Sequence, residues 1–295
     1  MYDARGPSGT SNKNSNLIFG GIILLVIGIA FFGVLFFPQA SNKPITLVTA
    51  SESVEHPILA ELNDDRTRTY IQKLQAAAPK SAEKLSKEAE KALARGAGKN
   101  ELVMLMLSTY DEGEGRLLAK ADVKYFDAMS AHMSKGLRQL SQSNSKWCRA
   151  SHYESMSNVD PALVVSDLGR ALGYGSEFYE WTLDFSIITL DAIAEARVNP
   201  KTYSGLTPSD EAVLQRAAMS LIADPQIMQL MTLQSSSPSD AKRAMANVNI
   251  CDLALSFDKM FRGLPKGTRE RMWGEMAKEI RAGGMGRSLP DFARF

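Results

Sequence analysis

Five carboxylates within one stretch are the first residues here that could do chemistry: Glu177, Glu180, Asp184, Asp191 and Glu195. Read as a helix, Ser176–Val198 places them within about 60° of one another. The rest of the helix carries Phe178, Trp181, Phe185, Ile187, Leu190 and Ile193. Such a stripe has three readings: the wet edge of a central core helix, a seam of ion pairs facing Arg170, Arg216 or Arg243, or a ligand-facing metal or acid–base site. Divalent cations need oxygens converging from more than one element, and one helix does not supply that. The wet edge is therefore the first expectation.

Cys148, His152 and Cys251 form a second group. A low, even cysteine count in an exported domain predicts one disulfide, Cys148 to Cys251. In a reducing compartment the same three side chains would instead be candidate zinc ligands. Their C-x3-H spacing is loose and one ligand short of a tetrahedral set. His56 and His132 read as structural. Fourteen methionines, with Met104/Met106, Met129/Met133 and Met228/Met231 as close pairs, read as adaptable core filler.

Glu154-Ser155 opens the stretch ESMSNVDPALVVSDLGRALG. It resembles the Glu-Ser stretch of lytic transglycosylases, without the Leu-Met-Gln that follows there or that family's downstream tyrosine motif. The resemblance implies that Glu154 would be the catalytic acid, protonating a glycosidic oxygen with a pKa raised by burial. The plainer reading is an exposed structural glutamate. P-loops, dinucleotide fingerprints and nucleophile elbows are absent from the chain, and no cofactor is implied.

What would position these groups begins with Leu17–Phe37, LIFGGIILLVIGIAFFGVLFF, and no charge falls between Lys13 and Lys43. As a helix this run is about 32 Å long, matching a hydrocarbon core of ~30 Å. It is longer than a signal-peptide apolar region and lacks a small-x-small cleavage site, so an uncleaved signal anchor is expected. Arg5 and Lys13 precede it and only Lys43 follows closely, which favours a cytoplasmic N-terminus. Residues 1–16 then form a disordered tail, 17–37 the anchor and 38–63 a membrane-proximal linker.

Residues 64–282 read as an all-α soluble domain of about eight to ten helices, followed by a tail at 283–295. Asp64 or Asp65 can cap the first helix, and Pro79 ends it or starts the next. Ser81–Arg95 has an apolar stripe of Ala82, Leu85, Ala89, Ala92 and Leu93. Glu101–Thr109 reads as buried, 111–115 as a break, and Ala121–Ser141 as a strongly amphipathic helix. Asp160-Pro161, Thr207-Pro208, Asp224-Pro225 and Ser237-Pro238 each put a capping oxygen before a first-turn proline. No alternating run reads as a strand.

The chain is 44% hydrophobic and 23% charged with a formal net charge of +1. That balance gives no electrostatic case for nucleic acid, whose binding needs a basic face. The expected function is a non-enzymatic scaffold or accessory subunit: an inner-membrane protein with its helical domain in the periplasm, whose expected partners are an envelope protein or a second copy of itself in a homo-oligomer. The alternative is an anchored cell-envelope hydrolase using Glu154 or the acidic helix.

Overall fold

The computed structural model describes residues 56–109, 112–152, 170–225, 227–228 and 247–281. Among them the backbone is helical, with one isolated antiparallel bridge between Arg149 and Asn249. The all-α expectation therefore holds. The tail 1–16, the anchor 17–37, residues 38–55 and the tail 283–295 lie outside the described residues, as do the expected helix starts at 160–161 and 237–238. No helix of the described residues is long and apolar enough to cross a membrane.

The longer helices are α1 (Asp65–Ala77), α2 (Pro79–Ala94), α3 (Lys99–Ser108), α4 (Val123–Gln142), α5 (Glu177–Val198), α6 (Pro208–Leu221), α7 (Ile250–Arg262) and α8 (Lys266–Arg281). Their starts follow local chemistry. Asp64 caps α1 by accepting the Thr67 N–H at 2.9 Å. Ser176 caps α5, and Asn249 accepts the Cys251 and Asp252 N–H groups at the start of α7. Thr207 and Asp210 form a reciprocal capping box around Pro208 at the start of α6.

α2 is the exception, because Ala78 precedes it and offers no capping oxygen. The cap comes from the segment expected to be a break. Glu112–Gly115 instead forms one helical turn leading into the 3-10 turn Arg116–Lys120. This places the buried Glu114 carboxylate over the start of α2, where it accepts the Ser81 N–H at 2.9 Å, the Ser81 hydroxyl at 2.8 Å and the Lys80 N–H at 3.2 Å. Arg197 lies 3.5 Å from its other side. Two glycines beside acids look like a loop, but the unfilled donors of α2 decide the matter.

The core sits around α5, which packs against α1, α4 and the Arg116–Lys120 turn. Tyr179, Leu183, Leu190 and Ile193 are wholly or almost wholly buried, while Phe178, Trp181, Phe185 and Ile187 are only half-buried. Thr182, Ser186 and Thr189 are buried too. The Ser186 and Thr189 hydroxyls donate to carbonyls four residues back, so neither is left unpaired in the interior.

Two glycines permit close crossings. Gly136 of α4 lies directly under the Trp181 ring, and Gly274 of α8 lies under the 203–204 backbone, where an added Cβ would come within 2.6 Å of the Ser204 carbonyl. Phe126 joins α4 to α7 and α8 through Phe261 and Trp273, with ring centroids 5.0 and 4.9 Å apart. The Ala121 carbonyl accepts from both Tyr203 and Trp273. Met106 and Met129 fill the core as expected, but Met228 is 54% exposed. A smaller second core of Ala150, Leu221, Val248, Leu253 and Phe257 lies under α6 and α7.

Removing the Glu114 carboxylate strips the cap from α2 and leaves buried donors without an acceptor. Glu114→Ala is expected to cost about 2 kcal/mol, read as a lower urea midpoint at unchanged slope. Glu114→Gln, which keeps one acceptor oxygen, should cost less.

Candidate functional site

α5 presents its carboxylates toward α1 and α4, and there they meet cations. Arg66 pairs with Glu180 and, at 3.2 Å, with Asp184. Lys73 holds Asp191 at 2.5 Å. Glu195 is held by Lys124 and by the Tyr125 hydroxyl, which donates at 2.7 Å. The Glu177 side chain lies outside the described residues. The described part of the stripe is thus a wet edge that also carries ion pairs: Glu180, Asp184 and Asp191 keep 51, 39 and 42% of their side-chain surface open to solvent while each meets a cation. Among the described residues its partners include Arg66, Lys73 and Lys124, none of which is among the expected cations; Arg243 lies outside the described residues.

Arg66 and Lys73 are seven apart, as are Asp184 and Asp191, so α1 and α5 run parallel in a fixed register. Arg197 closes the far end by donating to the Ala77 carbonyl at 2.7 Å, satisfying a C-terminal acceptor of α1. At the near end the Tyr179 hydroxyl joins Thr67 and Asp64, donating to Asp64 at 3.1 Å. Parallel helices align their dipoles unfavourably, and these polar links offset that.

Hydrogen bonds from Lys124 and then Tyr125 hold the Glu195 carboxyl below the usual carboxylate range. Burial and the Glu195 contact push the Tyr125 phenol up to about 12. A catalytic acid needs the opposite shift in its carboxyl. Burial opposes ionisation of Asp64, but hydrogen bonds from Thr67, Tyr179 and Tyr174 outweigh it and hold that carboxyl low as well.

Cys148 and Cys251 are joined in a disulfide, with Cα atoms 5.0 Å apart and both residues buried. The bridge fixes the 3-10 turn Lys146–Cys148 to the start of α7. It also removes both thiolates that a zinc site with His152 would need. His152 packs against the edge of Trp147, at 4.9 Å between centroids. His132 donates from Nε2 to the Trp181 carbonyl at 2.8 Å, while the Trp181 indole donates to the His132 carbonyl at 3.3 Å. Among the described residues no three His, Cys, Asp or Glu side chains are placed to hold a metal ion. Glu154 lies outside the described residues.

Two open clefts lie among the described residues. One, of about 390 Å³, lies at the start of α1 between Asp64, Arg66, Tyr174, Tyr179 and Glu180. The other, of about 310 Å³, is lined by Asp122, Lys201, Tyr203, Glu270 and Arg271. Beside the second, Arg271 grips Asp210 with two bonds of 2.6 Å, and Thr268 donates to the same carboxylate at 2.8 Å. This buried cluster ties the start of α6 to α8. The Thr-x-x-Asp spacing at 207–210 is a readable capping signal, whereas no local signal points to Arg271. Polar groups line both clefts, and several are already engaged: Tyr179 donates to Asp64, Tyr203 to the Ala121 carbonyl, and Arg66 pairs with Glu180.

No protein-family model, no curated protein and no solved structure matches the chain.

The Asp210 cluster gives acid sensitivity a sign. Hydrogen bonds from Arg271, then Thr207, hold the Asp210 carboxyl well below the usual carboxylate range. Its contribution is complete above the unfolded value of about 3.9 and fades as pH falls towards the depressed folded value. Asp210→Asn should therefore lower the urea midpoint at pH 7, and the gap to the parent protein should narrow as pH falls below about 4.

Proposed function

We propose that the chain is a single-pass membrane protein, anchored by Leu17–Phe37, whose helical domain works by binding on the oxidising side of the membrane. The N-terminus is cytoplasmic, and the domain is a scaffold or accessory subunit in the periplasm. The disulfide is the observation that carries this reading. Disulfides persist in exported domains and are rare in the cytosol, and Cys148–Cys251 bridges 103 positions of the chain. The apolar run and the basic residues before it supply the anchor and its direction.

The binding role draws on what the carboxylates do. Glu180, Asp184, Asp191 and Glu195 are each held by a cation: the first three by Arg66 and Lys73 of α1, in a fixed α1–α5 register, and Glu195 by Lys124 of α4. Groups committed to holding two helices together are poor acid–base catalysts. The hydrolase alternative uses Glu154 or the acidic helix, whose Glu177 side chain also lies outside the described residues, and turnover of purified peptidoglycan lost in Glu154→Gln or Glu177→Gln would support it.

Four measurements bear on the proposal. The full chain should pellet with membranes and resist carbonate extraction; recovery in the soluble fraction without detergent would overturn it. Maleimide should label no cysteine in intact or lysed cells until reductant is added. Crosslinking in membranes should then trap a specific partner or a second copy. Replacing both cysteines by alanine should cost up to about 4–5 kcal/mol, the chain-entropy value for a loop of this size.

A further inference from the structure

The first described segment, residues 56–62, lies against α2 as a short strap. Ile58 and Leu62 are completely buried, and Leu59 is nearly so. Pro57–Ala60 forms a 3-10 turn whose Leu62 N–H closes on the Ile58 carbonyl at 2.8 Å. Three buried aliphatic side chains give the strap its grip.

His56 starts this strap and is 5% exposed. Its Nδ1 accepts the Ile58 N–H at 3.4 Å, which requires that nitrogen to be unprotonated. Its Nε2 is buried without a hydrogen-bond partner in good geometry. The Ala82 carbonyl of α2 offsets part of the burial, and so does Glu90 of the same helix. Glu90 is exposed, and Glu61, on the strap itself, is exposed too. A second proton on this imidazole would put a charge in an apolar seat and break the Ile58 contact at once.

We propose that residues 56–62 are an acid-sensitive strap, docked on α2 while His56 is neutral and released when the imidazole takes up a proton. Burial depresses the affinity of His56 for that proton below its ordinary value of 6.5 in the docked state. Release restores the ordinary value. Docking is therefore complete above about 6.5 and weakens as pH falls from there towards the docked value. The strap stands whether or not residues 17–37 cross a bilayer.

Hydrogen exchange on the full chain in detergent, at pH 7.5 and 5.5 with intrinsic rates corrected, reads the docking directly. Protection of the Leu59 and Leu62 amides should fall roughly three- to tenfold on acidification, since one proton site yields at most tenfold per pH unit. Amides within α3 and α5 should hold. His56→Phe, or His56→Gln should the larger ring fail to seat, should keep its protection at pH 5.5. Ile58→Ala should lose protection at both pH values, which proves that the amides report docking. Equal protection of the parent protein at the two pH values would overturn the proposal, and so would an equal fall in the His56 variant.

Discussion

A helix with one face in the core and a row of acids on another needs cations on its neighbours, and α1 and α4 provide them. Arg66 reaches two carboxylates of α5, Lys73 a third and Lys124 a fourth. The Arg66 and Lys73 pairs sit at the surface, where each is worth only ~0.2–1 kcal/mol. Their larger effect is on geometry. Matching seven-residue spacing on both helices fits this parallel register, and a shift by one turn would take Lys73 away from Asp191. With that register fixed, Tyr179, Leu183, Leu190 and Ile193 face the core, and α4 can close over them at Gly136.

The remaining helices are tied to this centre by polar groups from distant parts of the chain. Glu114 finishes α2, Arg197 finishes α1, and Arg271 completes the box that starts α6. Between α4 and α7 the links are serine hydroxyls on carboxylates: Ser130 on Asp258, and Ser141 on Asp252 at 2.5 Å. Each link satisfies a helix end or engages a carboxylate on a neighbouring helix.

Much of this was readable in advance, because it is local. Asp64, Ser176 and Thr207-Pro208 announce helix starts through side chains within three residues of the groups they serve. The stripe on α5 and the cysteine pair could be read the same way. The partners could not. Lys73 and Asp191 are 118 positions apart, and Arg197 and Ala77 are 120 apart; no spacing rule connects them. Glu114 misled for a physical reason: glycines on either side suggest a loop, yet a neighbouring helix lacked a cap. His56 also read as an ordinary linker residue, since burial is not visible in sequence.

The bridge between Cys148 and Cys251 has one more effect, set by what lies between its ends. Both α5 and α6 fall inside the loop it closes. The central helix of the domain is therefore part of a covalent ring. A peptidase that nicks the chain once anywhere from 149 to 250 opens the ring without separating the pieces, and the two halves stay fastened to each other. In a protease-rich compartment such a molecule could be cut and remain assembled, coming apart only when something reduces it.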